Sequence, residues 1–142
     1  MKKLHAICNM KDHHNKYVIP SYQASLSFEI ARTMHKVNKR TDLDMLVCLL
    51  ISGKITGNNL SIVDLENIFQ MQVDKNVFKK KEKELLELFY YSIYDIQHSH
   101  EYINNFMWED TCKKEKAFEM IRNFDMLDSP EEISSNIISD LL

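Results

Sequence analysis

The densest apolar run in the chain is Leu43–Ile51, where every residue except Asp44 is apolar. A helix that is apolar all round has no face to offer solvent and must be enclosed by other elements. The run is far shorter than the roughly 20 residues that span a bilayer. The pattern therefore predicts a buried central helix over Thr41–Ser52. Thr41 and Asp44 make a capping box with Asp in place of Glu, and Asp42 and Asp44 put negative charge at the positive end of the helix dipole. Gly53 follows the last apolar residues, where a left-handed C-terminal turn favours glycine. A buried strand is the rival reading; run length and caps favour helix.

Helical spacing recurs on both sides of this run. Ser21 opens a helix with a stripe of Tyr22, Leu26, Ile30, Met34 and Val37. Ser61 and Asp64 repeat the cap before Ile62, Leu65, Ile68 and Phe69, in a helix ending near Asp74. The longest helix is predicted from about Lys75 to Gln97. It begins with the solvated stretch KKKEKE at 79–84 and continues with Leu85, Leu88, Phe89, Ile93 and Ile96 on one face. His98-Ser99-His100 reads as a break, and Tyr102, Ile103, Phe106 and Met107 as a short amphipathic turn ending at Trp108. Asp110 or Thr111 caps a helix with Ala117, Phe118, Ile121 and Phe124 inward. Ser129-Pro130-Glu131-Glu132 supplies an N-cap, a first-turn proline and an N3 glutamate, leading into Ile133, Ile137 and Leu141.

Residues 1–20 are ambiguous. Leu4, Ala6, Cys8 and Met10 alternate with polar positions, Ile7 breaks the alternation, and Lys16–Ile19 is a second extended run before Pro20. A short β-hairpin turning at KDHHN, an ordered arm and a short helix all fit. The expected architecture is all-α: a compact bundle of about six to seven helices around Thr41–Ser52. Residues 1–20 form an N-terminal arm or hairpin, and 21–142 a single helical domain.

Composition supports this. With 142 residues and only two Gly and two Pro, the chain can bury a core but is poor in the residues of tight β-turns. Lys outnumbers Arg by 15 to 3, and Ile, Asn, Phe and Tyr are plentiful, as A+T-rich codons would give; this points to an A+T-rich microbe, phage or virus. His5, Asn9 and Lys11 break any secretory apolar core behind Met1-Lys2-Lys3. Cys8, Cys48 and Cys112 are odd in number and widely spaced, which fits free thiols in a cytoplasmic compartment, the host cytoplasm for a viral chain. Residues 1–40 hold eight Lys or Arg against two Asp or Glu, and residues 41–142 hold ten against nineteen. Either the two parts complement each other in the fold, or Lys2–Arg40 presents a basic face to nucleic acid or an acidic partner.

Candidate chemistry is sparse. His5, Cys8, His13 and His14 include zinc-ligand types, but adjacent histidines on a strand diverge and no second ligand pair exists; no metal or cofactor is expected. His98 and His100 at a helix end suit the dipole there. The segment after the central helix lacks the acidic positions of a calcium loop, and its next helix offers Asp64 and Glu66, which a DNA groove would repel. With two glycines no phosphate-cradling loop can form, and Cys112 beside Lys113 and Lys114 has no base to activate it. An enzyme is not expected. The remaining signals are aromatic. Tyr90, Tyr91 and Tyr94 cannot all face one side of a helix, and Phe106, Met107 and Trp108 lie together; Tyr, Trp and Met favour interfaces. These six residues are the candidate partner-binding set. The functional expectation is a protein–protein interaction protein, an adaptor, inhibitor or immunity-type protein, in which self-association is also compatible. The alternative is a nucleic-acid-associated protein using Lys2–Arg40.

Overall fold

The structure, a computed structural model, describes residues 2–89 and 95–142. Among these residues eight α-helices and no β-strand are found: α1 (Lys2–Cys8), α2 (Ser21–Lys36), α3 (Asp42–Thr56), α4 (Ile62–Phe69), α5 (Lys75–Leu88), α6 (Ser99–Asn105), α7 (Thr111–Met120) and α8 (Pro130–Leu141). A 3-10 turn at Ile121–Asn123 extends α7.

Helix α3 is the enclosed helix that its sequence demands, with every residue from Asp44 to Gly53 buried. Its capping box is formed in both directions: Thr41 Oγ1 accepts from the Asp44 amide, and the Asp44 carboxylate accepts from the Thr41 amide. It ends later than expected. The left-handed residue is Gly57, at φ 81°, while Gly53 stays helical. Gly53 is needed for proximity instead: a Cβ there would lie 2.5 Å from the Asn58 carbonyl oxygen.

Four helices, α1, α2, α4 and α5, pack on α3, while α6 and α7 pack on the far side of α2 and α8 closes against them. Helix α2 is thus sandwiched, and more than one stripe of it is buried. Gln23, Ala24, Ser25, Ser27 and Ala31 join Leu26, Ile30 and Met34 inside, whereas Tyr22 and Val37 at the ends of the expected stripe are exposed. Its small residues let α3 approach closely, and its buried hydroxyls are paired. Ser27 Oγ meets Ser52 Oγ at 2.7 Å, and the Cys48 thiol donates to the Ser27 carbonyl at 3.1 Å. Buried polar groups left unpaired would cost stability.

The N-terminal β-hairpin is not formed. Leu4, Ile7 and Cys8 lie on one side of α1 and are buried, so helical spacing outweighs the imperfect alternation. Lys11 and Tyr17 make a single antiparallel bridge across a turn at 12–15. The long helix also differs from expectation: α5 stops at Leu88, with Phe89 as its C-cap, and Ile96 and Gln97 lie outside any helix. Ser61 and Ser129 cap α4 and α8 as their sequences predict, with Pro130 in the first turn of α8, and of the two candidates for α7 it is Asp110 that caps while Thr111 is the first helical residue. Charges of the basic N-terminal region reach across the fold: Lys3 pairs with Asp42 at 2.8 Å and Lys39 with Glu84 at 2.9 Å.

Candidate interaction surface

Helix α6 ends where Phe106 turns extended, at φ −71° and ψ 143°. The indole Nε1 of Trp108 donates back to the Ile103 carbonyl at 2.8 Å, and the Trp108 amide donates to the Phe106 carbonyl at 3.1 Å. These bonds fold Trp108 onto Phe106, their ring centroids 5.0 Å apart in an edge-to-face arrangement. Met107, between them, is driven outward and is 91% exposed. Asp110 then caps α7, its carboxylate accepting from the Cys112 amide at 2.9 Å.

A surface recess of about 310 Å³ follows from this turn. Phe106, Met107 and Trp108 line it with Glu109, Asp110, Lys113 and Leu142. Leu142 is 78% exposed. Met107 and Leu142 are exposed, the Phe106 and Trp108 rings between them are half-buried, and Glu109, Asp110 and Lys113 put charge at the rim. Of the six sequence candidates, Phe106, Met107 and Trp108 come together here; Tyr90, Tyr91 and Tyr94 lie outside the described residues. Leu142, Glu109, Asp110 and Lys113 were missed. Leu142 arrives through the packing of α8 against α6 and α7, for which no local pattern exists.

The platform beneath the surface is held by a polar network. Ser25 on α2 caps α6 from outside the helix: its Oγ accepts from the His100 amide at 3.0 Å and meets His98 Nδ1 at 2.8 Å. Which of the Ser25 hydroxyl and His98 Nδ1 donates depends on the His98 tautomer, and the other ring nitrogen, Nε2, faces the Glu101 carboxylate at 3.8 Å. Tyr22 donates to the same carboxylate at 2.9 Å, and His100 stacks on Phe118 with centroids 4.0 Å apart. Burial holds the His98 imidazole down at about 4, despite the opposing pull of Glu101, and lowers His100 as well. Serine, histidine and glutamate in line suggest a nucleophile and its base. Here, however, Ser25 and His98 are both buried and the hydroxyl is committed to the helix cap, so the arrangement braces α6.

The other sequence candidates are dispersed. His5 stacks against Phe28, Cys8 is buried, and His13 and His14 stand side by side in the exposed turn. Among the described residues no three His, Cys, Asp or Glu converge on a metal-sized site. Burial pushes the Cys8 thiol up to about 12, although Arg122 pulls it the other way, and raises Cys48 too; both remain neutral thiols. No described helix is long and apolar enough to cross a membrane. Compared with protein-family models, with curated proteins and with solved structures, the chain finds no match.

Proposed function

We propose that this chain is a protein-binding module, an adaptor or inhibitor rather than an enzyme, which engages a protein partner through the Phe106–Met107–Trp108 turn. The observation that carries the reading is Met107, 91% exposed at the mouth of an aromatic recess with Leu142 beside it. Trp and Phe are enriched at interfaces because they bring large, rigid apolar area, and Met because its flexible, polarizable chain adapts to the surface it meets. The partner inserts an apolar side chain between Met107 and Leu142 and presents a basic group to Glu109 and Asp110. The reading places the protein in a reducing, cytoplasmic setting, supported by three free cysteines with two of them buried.

The test is a photo-crosslinking residue placed at position 107, with position 116 on exposed α7 as control, in the cells that make the protein. One protein adduct formed at 107 and absent at 116, and lost in Trp108→Ala, supports the reading. Capture of nucleic acid that is lost at high salt, with no adduct at 107, overturns it and moves function to Lys2–Arg40.

A further inference from the structure

A second concave surface lies on different elements. It is formed by the C-terminal half of α3, the approach to α4 and the first two turns of α5, and encloses about 430 Å³. Its floor is apolar: Leu50, Leu60, Ile62 and Phe78. Leu50 and Phe78 are buried in the protein core, while Leu60 and Ile62 are half-buried. Its edge is basic. Lys75 and Lys79 are i and i+4 on α5 and both line the groove, whereas Lys54, opposite, is neutralised by Glu82 at 3.3 Å.

The charged run at 79–84 is therefore not uniform. Lys81 reaches inward to Asp44 at 3.0 Å, Glu84 is held by Lys39 at 2.9 Å, and Glu82 is held by Lys54. Lys75 and Lys79 have no ion pair with any described residue. In a chain of net charge −3, the fold has placed two cations without an ion pair beside the half-exposed Leu60 and Ile62. Their separation along the axis is one helical turn, about 6 Å. That spacing matches two carboxylates one turn apart on a facing helix. A single fatty-acid headgroup would engage one lysine and leave its chain wet in an open groove.

We propose that this groove binds the acidic face of an amphipathic helix from a protein partner. Its apolar residues rest on Leu60 and Ile62, with Leu50 and Phe78 beneath them, and its paired Asp or Glu side chains meet Lys75 and Lys79. This surface is separate from the Phe106–Trp108 turn, so either can fail alone.

The test uses a fluorescein-labelled synthetic helix of about 18 residues, long enough to be helical in isolation. It carries a Leu stripe flanked by Glu at i and i+4, and a second probe has Gln in place of each Glu. Binding is followed by fluorescence polarisation, and the bound face by amide chemical shifts. The expected result is saturable binding of the Glu probe, perturbing the amides of Leu60, Ile62 and Phe78, with the Gln probe at least about tenfold weaker. K75E/K79E weakens the Glu probe by about tenfold or more while its melting curve stays that of the parent. K80E/K83E, of equal charge change but outside the groove, has little effect. Equal affinity for the two probes, equal loss in the two double variants, or shifts mapping elsewhere overturns the proposal. So does displacement of the probe by phosphatidylserine vesicles in a Lys75- and Lys79-dependent manner, which would make the ligand a lipid surface.

Discussion

The guanidinium of Arg122 lies over the ring of Tyr17, 3.8 Å from its centroid. Arg122 is also 1% exposed and has no ion-pair partner among the described residues. A buried cation without a carboxylate is costly, and here the compensation comes from backbone. Its Nη1 donates to the Cys8 carbonyl at the C-terminal end of α1, and its Nη2 to the Ile19 carbonyl at 2.6 Å. Helix C-termini favour cations, and the π-face of Tyr17 adds a cation–π contact. Burial nonetheless lowers the Arg122 pKa.

One residue thus fastens both ends of the segment 9–19 to the rest of the fold. Arg122→Lys keeps the charge but cannot span both carbonyls or stack flat on the ring. It should destabilise the protein by about 1–3 kcal/mol, the cost of leaving a buried carbonyl unsatisfied. Hydrogen exchange is the discriminating measurement, because the amides of 9–19 should lose protection before those of α3. A uniform loss across the fold would mean that Arg122 does not hold this segment.

Gly53→Ala is expected to destabilise, against the helix scale. Alanine is better than glycine inside a helix by about 1 kcal/mol. The new Cβ, however, would meet the Asn58 carbonyl oxygen at 2.5 Å and Gln23 Nε2 at 3.2 Å. The first is backbone, fixed by the turn at Gly57, and Asn58 itself is tied to Gln23 by a 2.7 Å bond. Overpacking of this kind costs about 1–3 kcal/mol. A urea melt that moves to higher midpoint in Gly53→Ala would show that the turn yields.

The two glycines mark where sequence reading stops. Thr41, Ser61 and Ser129 were legible as caps, and the α7 cap was narrowed to Asp110 or Thr111, because a cap is decided by residues within one turn. Gly53 and Gly57 both follow an apolar run closely enough to end it. Only the Asn58 backbone, folded back onto α3, assigns close approach to one and left-handed geometry to the other. Arg122 was illegible for the same reason: its partners are 103 and 114 residues away, and between Ile121 and Phe124 an arginine reads as surface. The Phe106–Trp108 turn was legible by composition, its neighbour Leu142 was not, and the lysine-edged groove needed three elements brought together before Lys79 could be told from Lys81.

Lys81 supplies a third prediction. Asp44 is buried at the start of the central helix and its carboxylate accepts from Thr41 Oγ1 at 2.7 Å and Lys81 Nζ at 3.0 Å. Burial by itself would raise the Asp44 carboxyl; the Thr41 and Lys81 contacts outweigh it, and the pKa is lowered. Lys81→Met removes the partner and leaves the charge. Breaking a fully buried pair costs about 3–5 kcal/mol, and the partial exposure of Lys81 brings the expected loss to about 1–2 kcal/mol. Adding Asp44→Asn should recover part of that loss. A double-mutant cycle measures it directly, and strictly additive losses would mean that the pair does not interact.

Acid sensitivity follows from His98. Its folded pKa, about 4, lies below the ordinary imidazole value of 6.5, so between these values the unfolded chain binds a proton that the native protein refuses. The His98 contribution is therefore constant above pH 6.5 and lowers stability as pH drops toward 4. The full loss is about 3 kcal/mol at about 1.4 kcal/mol per pH unit. His100, also lowered by burial, adds in the same direction. Glu101 on α6 and Tyr22 on α2 face the pair, with Lys114 on α7 acting on His100. Asp44, Glu84 and Glu131 have lowered carboxyl pKa values. Their stabilisation disappears only below the ordinary carboxylate range, about pH 4, so the slope between pH 6.5 and 5 belongs to the histidines. His98→Asn keeps an acceptor for the Ser25 hydroxyl but cannot be protonated. Its urea midpoint should fall at pH 7.5 because of the lost ring, yet change less than the parent's between pH 7.5 and 5. If the variant retains the parent's full slope, the acid sensitivity lies in other groups. The region that opens first should be α6, since a charge on the buried His98 is placed at the N-terminus of that helix, beside the Ser25 hydroxyl that caps it through the His100 amide.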